Sequence, residues 1–382
     1  MSTQEDRSMV LDRFTGAARR ALDGLSPTTA VSRTYEHWIR RREQALHEET
    51  TNRVSLPFEW GPEHLGLDSV AALDDVVRRS LADSDALFSA GPRFEGPYDF
   101  DGTLLRFPSP CTSQYPINDT VVGRFFPGRF TGALPRLVTR AFTRERARRL
   151  AVIVTPEWTA SWDSHVTFCQ ILAAFGIAAL RLSAPYHHAR MPLDIERPEY
   201  LCSANIGRTL AAVRQGVLDV RRAADWLELQ GYERIAVLGT SAGSLISFLA
   251  FAHDPRLSLG TFLMLSSSFA DVVWRGLSTE HVRASLTGHV TLDALRHYWG
   301  PLSPLSHVKR LAGGDRSTLF ISGQYDPTCP PELTQVLYDA LAANDARHQK
   351  LWLPCGHHTM ATFPFSLIVT LRVLTFMLGI RP

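Results

Sequence analysis

The sequence lacks a strong charge of either sign. Its 40 Lys and Arg residues nearly balance its 38 Asp and Glu residues, which leaves a formal net charge of +2. Lysine is almost missing, since only Lys309 and Lys350 occur. A chain without an excess of basic charge has no long-range attraction for nucleic acid or for an anionic membrane surface. We therefore expect neither of these partners.

Cysteine is scarce and follows no framework. An odd number of irregularly spaced cysteines does not suit a set of structural disulfides, and free thiols are typical of a reducing compartment. The sequence therefore predicts a cytoplasmic protein, and because no ligand spacing typical of a metal site occurs, it predicts no metal and no cofactor. The five cysteines are Cys111, Cys169, Cys202, Cys329 and Cys355.

No segment has the composition of a leader or of a membrane span. Residues 1–6 are polar and lack the apolar core of a signal peptide. The apolar stretch 363–380 contains Arg372, and we expect it to be the last helix of a globular domain and not a membrane span. With 45% hydrophobic and 20% charged residues, the composition is that of an ordinary globular protein.

A serine stands in a small-residue turn between an apolar run and a second apolar segment. The turn is Gly239-Thr240-Ser241-Ala242-Gly243, and it follows residues 235–238 and precedes residues 245–251. A strand, a sharp turn with a central serine and a helix form a nucleophile elbow, in which the serine is strained and its glycine neighbours avoid a clash. Ser241 is therefore the predicted nucleophile.

An acid and a histidine follow in the order that such a nucleophile requires. Residues 320–326 read as a short strand with Asp326 in the loop beyond it, and residues 351–358 repeat the pattern with His357 and His358. The order Ser, Asp, His, each at the end of a strand, predicts a triad of Ser241, Asp326 and His357. His358 and Asp271 are the alternatives for the base and the acid.

These motifs resemble those of the α/β-hydrolase superfamily from about residue 92 to the C-terminus. The resemblance implies a mostly parallel central sheet flanked by helices, preceded by an N-terminal helical extension over residues 1–91 and carrying a small helical cap at about 269–315. Apolar periodicity predicts strands and helices in alternation. The predicted strands are 150–154, 177–182 and 259–265, and the predicted helices are 34–48, 69–88, 165–175, 206–230, 332–343 and 365–378.

The loop after the strand 150–154 departs from the glycine-rich pattern of many members. An oxyanion hole needs backbone N–H groups, one from Ala242 and one from this loop. Pro156 has no N–H, so Glu157 or Trp158 is the predicted donor. Alternatively, Trp158 is only a core or rim aromatic.

The segment 184–192 resembles a Pro-Tyr…Arg…Pro loop of the branch typified by α/β-hydrolase domain-containing protein 18. Arg190 and His187 lie in this loop, and Trp274 lies in the predicted cap, so all three are predicted substrate contacts. For Arg190 an ion pair with a nearby acid is the alternative, and for His187 a role in ordering the loop.

Together these features predict a serine esterase that acts on a carboxylic ester, a thioester or a lipid acyl ester through an acyl-enzyme. The alternative is a protein of the same fold that does not hydrolyse its ligand, either a biosynthetic cyclase or acyltransferase or a binding protein. The N-terminal extension is expected to cover a sheet edge, to shield the pocket or to form a homodimer.

Overall fold

A computed structural model gives the fold, and it describes residues 30–49, 53–131 and 149–380. The first 29 residues of the predicted N-terminal extension lie outside the described residues.

One sheet of nine strands forms the centre of the molecule. Its strand order is β1-β2-β3-β5-β4-β6-β7-β8-β9. Strands β1, β2 and β3 pair antiparallel with their neighbours, whereas all pairs from β5 through β4 and β6 to β9 are parallel. The strands are β1 Asp99–Phe100, β2 Leu104–Pro108, β3 Thr120–Phe126, β4 Leu150–Thr155, β5 Ala178–Leu182, β6 Arg234–Thr240, β7 Leu257–Leu263, β8 Ser317–Gly323 and β9 His348–Leu353.

Along the chain, helices come before the first strand, between the parallel strands and after the last strand. They are α1 Ala30–Glu48, α2 Val70–Ala82, α3 Asp85–Phe88, α4 Val166–Ala174, α5 Ile206–Leu229, α6 Ala242–His253, α7 Phe269–Arg275, α8 Glu280–Leu286, α9 Leu292–Tyr298, α10 Pro331–Ala343 and α11 Phe365–Met377. Parallel strands need such crossover connections, because a hairpin can join only antiparallel strands.

The sheet separates two hydrophobic cores. Strand β4 is buried along its whole length, and its successive residues enter the two cores in turn. Ala151 and Ile153 belong to one core and Val152 and Val154 to the other. This alternation follows from the two-residue period of a strand, and burial on both faces explains the continuous apolar run in the sequence.

The described part of residues 1–91 contains helices α1, α2 and α3 and a 3₁₀ helix, Pro62–Leu65. Within α1, Ile39 is fully buried, whereas its neighbour Trp38 is 56% exposed. Neighbouring residues of a helix point about 100° apart, so one apolar stripe cannot hold both. The predicted helix 69–88 is two helices, and Ser69 accepts a hydrogen bond from the N–H of Ala72 at the start of the first.

The segment between β7 and β8 holds helices α7, α8 and α9 and a 3₁₀ helix, Pro304–Leu311. This is where the sequence predicts a cap. Helix α11 ends the described chain and packs into one of the cores through Val369, Val373 and Met377. Among the described residues, no helix combines the length and the apolar character that crossing a membrane would require.

Candidate active site

Ser241 lies in the turn between β6 and α6. Its φ of 54° and ψ of −119° are strained for a residue with a side chain. The N–H of Ser241 donates to the carbonyl oxygen of Leu263 on the neighbouring strand. This bond fixes the turn at the carboxyl ends of the parallel strands.

Gly239 and Gly243 allow this turn to form. A Cβ on Gly239 would overlap the backbone of Gly243, and a Cβ on Gly243 would overlap the carbonyl groups of Thr155 and Pro156. The absence of side chains therefore brings β6, α6 and the loop after β4 together beneath Ser241.

Three side chains from three strand ends form a chain of hydrogen bonds. Asp326 follows β8 and His357 follows β9, and both lie at the edge of the sheet that carries Ser241, because these strands are parallel. The Nε2 atom of His357 is 2.9 Å from the Oγ of Ser241, and its Nδ1 is 2.9 Å from an Asp326 carboxylate oxygen. The carboxylate also accepts the N–H groups of Thr328 and Cys329.

The imidazole of His357 is buried beside this carboxylate. Burial alone lowers the pKa of His357, but the negative charge and hydrogen bond of Asp326 outweigh it and raise the pKa well above its ordinary value of 6.5. Asp326 therefore stabilises the protonated form of His357.

The alternatives for base and acid lie elsewhere. The ring of His358 lies between those of His357 and His47, with centroids 5.6 and 5.9 Å away, and burial lowers its pKa to about 4. Asp271 forms an ion pair with Arg296 and accepts a hydrogen bond from Ser268. Neither residue has a hydrogen bond to Ser241 or His357 among the described contacts.

The loop after β4 passes the N-terminus of α6. The indole N–H of Trp158 donates to the carbonyl of Pro198 at 2.9 Å, and its ring stacks on His281 with centroids 5.6 Å apart. Glu157 has a carboxylate oxygen 3.5 Å from Nδ1 of His165. Trp158 is thus held by its neighbours, whereas this oxygen of Glu157 has no hydrogen bond among the described residues. The assignment of an oxyanion donor to Glu157 or Trp158 stays a prediction.

The predicted contact of Arg190 with substrate does not agree with its position. Its guanidinium is fully buried, forms an ion pair of 2.8 Å with Asp219 and donates to the carbonyl groups of Asn118 and Ser183. The alternative reading, an ion pair with an acid, describes it. Burial forces this pairing, since an unpaired interior charge is very costly.

His187 and Trp274 also lie off the cavity that adjoins Ser241. The Nδ1–H of His187 donates to the carbonyl of Pro185, and its Nε2 accepts the N–H of Thr159. His187 therefore ties the loop after β4 to the loop after β5. Trp274 is half-buried and packs against the larger core.

A small cavity of about 80 Å³ opens beside Ser241. Its wall is mostly apolar and comes from the loop after β4, from α6, from the segment after β7 and from α7. The lining side chains include Trp158, Leu245, Met264, Leu265, Phe269, Val272, Val273 and Cys329. The cavity can therefore hold a small apolar group next to the serine hydroxyl.

Among the described residues, one group has the composition of a metal site, and it consists of Asp326, Cys329 and His357. Two of its members already form the hydrogen bonds to each other that orient the imidazole toward Ser241. All five cysteines are free, and burial raises the pKa of the Cys329 thiol.

Two polar residues near the site were not predicted. Glu43 on α1 is 1% exposed and contacts the loop that carries His357. His165 has a φ of 67° and hydrogen-bonds the Thr240 side chain through Nε2 at 2.9 Å. A polar residue on the apolar stripe of a helix would have been a signal for Glu43, whereas no local pattern marks His165.

Known structures share this architecture. The acetyl xylan esterase from Paenibacillus sp. R4 aligns with a TM-score of 0.53 and 15% identity, over 81% of this chain and 99% of that one. Acetyl xylan esterase 1 from Thermoanaerobacterium sp. JW/SL YS485 gives a TM-score of 0.51 and 14% identity, over 89% and 98% of the two chains. The chain has the α/β-hydrolase fold. This confirms the predicted fold class.

A larger protein of the α/β-hydrolase fold matches over part of its length. The acylaminoacyl peptidase of Pyrococcus horikoshii aligns with a TM-score of 0.50 and 14% identity, over 76% of this chain but only 42% of the peptidase. The present chain therefore corresponds to less than half of that protein.

Similarity at the level of sequence is confined to the C-terminal part. Residues 212–380 match the prolyl oligopeptidase family. No curated protein shows significant similarity to the chain. The branch typified by α/β-hydrolase domain-containing protein 18 finds no support in these comparisons, and we do not propose it further.

Proposed function

We propose that this chain is a serine hydrolase that cleaves esters of short-chain carboxylic acids. The observation that carries the proposal is the continuous hydrogen-bonded series Ser241, His357 and Asp326 at the edge of the sheet. Ser241 is the nucleophile on a nucleophile elbow, His357 is the general base, and Asp326 orients the imidazole and stabilises its charged form.

The reaction proceeds in two halves. The Oγ of Ser241 attacks the ester carbonyl while its proton moves to Nε2 of His357. The tetrahedral intermediate collapses, the proton passes from His357 to the departing alcohol, and an acyl ester of Ser241 remains. Water then gives a proton to His357, attacks the acyl group and releases the acid, and the proton returns to Oγ of Ser241.

The oxyanion of the intermediate is held by the N–H of Ala242 and by that of Glu157 or Trp158. Ala242 is the first residue of α6, and the N–H groups of a first helical turn have no partner within the helix. The close packing of Gly243 on Thr155 and Pro156 supports a hole formed by these two N–H groups, because it brings the loop after β4 next to the N-terminus of α6. Removal of one such donor costs about 2.7–4 kcal/mol where measured.

The size of the cavity supports a short acyl group. Its volume of about 80 Å³ falls below the roughly 150 Å³ of a cavity that admits benzene. An acetyl, propionyl or similar group fits such a space with its carbonyl at Ser241. The proposal is therefore restricted to short acyl groups and leaves out the lipid acyl esters of the predicted substrate range.

A second candidate is cleavage of an amide that carries the same small acyl group. The similarity of residues 212–380 to the prolyl oligopeptidase family favours it. Because the amine is a poorer leaving group than an alcohol, rates with matched acetyl ester and acetyl anilide substrates separate the two bonds.

The proposal is tested with a fluorophosphonate probe and with p-nitrophenyl acetate. Wild type should be labelled and should hydrolyse the ester, and Ser241→Ala should lose labelling and at least about a thousandfold in kcat. Ser89→Ala, at an exposed serine of the N-terminal extension, is the control. A folded wild-type protein that neither labels nor hydrolyses would favour the alternative of a non-hydrolytic binding or biosynthetic role.

A further inference from the structure

One face of helix α1 contacts the loop that carries His357. Four buried or half-buried residues of this helix lie four positions apart, at Tyr35, Ile39, Glu43 and His47, whereas Arg40, Arg41 and Arg42 are exposed. A spacing of four places side chains one above the other on a single helix face. The stripe is therefore continuous, and it includes a carboxylate among its apolar and aromatic members.

The contacts of this stripe fall on residues 354–359. The hydroxyl of Tyr35 donates to the carbonyl of Pro354 at 2.5 Å. The Glu43 carboxylate accepts the N–H of His358 at 2.9 Å through one oxygen and the N–H of Thr359 at 2.6 Å through the other. Both bonds join residues more than 300 positions apart. Helix α1 is therefore in direct contact with the loop that carries the proposed general base.

Glu43 has no counter-ion among the described Lys and Arg residues, although its side chain is 1% exposed. A buried carboxylate is stable only where hydrogen bonds replace its hydration, and here two backbone N–H groups do so. Gly356 leaves room for it, since a Cβ at that position would overlap the Glu43 side chain. The helix and the loop are thus matched in shape as well as in hydrogen bonding.

We propose that Glu43 is a positioning residue that holds the loop of His357 so that the imidazole lies between Ser241 and Asp326. The inference rests on the proposed function of His357 and extends it to the N-terminal helix, which lies outside the residues that match the prolyl oligopeptidase family. Glu43 touches neither the reacting atoms nor the cavity beside Ser241. It acts through two peptide groups, one of which directly follows His357.

The test uses Glu43→Gln in the full chain, with Glu36→Gln as the matched control. An uncharged amide of the same size offers one acceptor and turns its NH₂ group toward the second N–H, so the loop must shift. Displacement of a catalytic group by about 1 Å costs on the order of 100-fold in rate, and we expect a loss in kcat of about that size with little change in KM. Glu36 lies outside this stripe, its side chain is 40% exposed and it pairs with Arg40, so its variant should retain the wild-type values.

Two further readouts distinguish positioning from general stability. Since Asp326 raises the pKa of His357, a displaced imidazole should titrate lower, and the acid limb of the kcat/KM profile of Glu43→Gln should move to lower pH. The proton NMR resonance of the His357 Nδ1–H, which Asp326 accepts, should shift or broaden. This resonance does not depend on turnover, so it reports on the loop even if the protein proves not to be an esterase.

Wild-type kcat, pH profile and Nδ1–H resonance in a folded Glu43→Gln protein would overturn the inference. If that variant does not fold, Glu43→Asp replaces it, because the shorter carboxylate keeps the charge but cannot reach both N–H groups without moving the loop. Unchanged kinetics and resonance in Glu43→Asp would equally overturn it. Absence of hydrolysis by the wild type, with the resonance still sensitive to Glu43, would count against the proposed function alone.

Discussion

The hydroxyl of Thr155 donates a hydrogen bond of 2.8 Å to the carbonyl oxygen of Gly243. Thr155 ends β4 and Gly243 lies in the first turn of α6, so this bond joins the two backbone segments that flank the proposed oxyanion hole. It is possible only because Gly243 has no side chain, since a Cβ there would overlap the carbonyl group of Thr155.

Gly243→Ala should therefore damage both stability and catalysis. The added methyl group must push the loop after β4 away from α6, and overpacking of this kind costs about 1–3 kcal/mol. We expect a lower urea midpoint and a kcat reduced by about tenfold or more, because the two oxyanion donors move apart. Gly314→Ala is the control, since its nearest neighbour, a backbone nitrogen, is 3.9 Å away.

The two neighbouring histidines should differ sharply. His357→Ala removes the group that contacts both Ser241 and Asp326 and should lower kcat about as much as Ser241→Ala, since triad residues act as a unit. His358→Ala retains the backbone N–H that Glu43 accepts and should cost at most about tenfold. Rates measured with p-nitrophenyl acetate decide between them, and the reverse ranking would contradict the assignment of the base.

The pH dependence should report the coupling of His357 to Asp326. The base must be neutral to act, and its pKa is raised by the carboxylate, so kcat/KM should rise with pH through an apparent pKa above 6.5. Asp326→Asn removes the negative charge, so this pKa should fall while the rate drops by roughly 10⁴-fold. An acid limb that does not move in Asp326→Asn would assign it to another group.

The proximity of Ser241, Asp326 and His357 could be predicted from the sequence because each residue is marked by its own local pattern. A strand followed by a turn can be recognised in the sequence from a segment of about five to ten residues. In a parallel sheet the carboxyl ends of the strands lie on the same side, so residues that follow different strands come together. Ser241, Asp326 and His357 are close together for this reason, although they are far apart in the chain.

Other features depend on contacts that no local pattern encodes. Arg190 stands in a loop at the ligand-binding edge of the sheet, yet its ion pair with Asp219 is made with the middle of α5, nearly thirty residues along the chain. The fit of Glu43 to Gly356 joins opposite ends of the chain. The cavity volume depends on how α7 and Leu245 are placed around the cavity, which periodicity does not specify.

Stability should fall in acid partly because of His187. Burial lowers the pKa of this histidine to about 3, whereas the unfolded chain titrates near 6.5. Between pH 6.5 and about pH 3, His187 therefore binds a proton in the unfolded state but not in the native state. Over this range its contribution to the free energy of unfolding falls by up to about 1.4 kcal/mol for each pH unit of acidification. In urea titrations from pH 6.5 to 4.5, His187→Gln should show a smaller loss than wild type. His37→Gln, at an exposed position, is the control, and equal slopes in wild type and His187→Gln would show that His187 is not the group responsible.

The preference for short acyl groups should be set by Phe269. Its ring lines the cavity beside Ser241 and packs on Trp299 with centroids 5.1 Å apart, so it forms a fixed part of the wall. Phe269→Ala should enlarge the cavity and raise the rate with p-nitrophenyl hexanoate relative to the acetate by about tenfold or more, since each accommodated methylene is worth about 1–3 kcal/mol. Leu305→Ala, at an exposed position of the same segment, should leave the ratio unchanged. A constant ratio in Phe269→Ala would mean that the acyl group binds outside this cavity, because a wall that contacts the acyl chain cannot be removed without changing which chains fit.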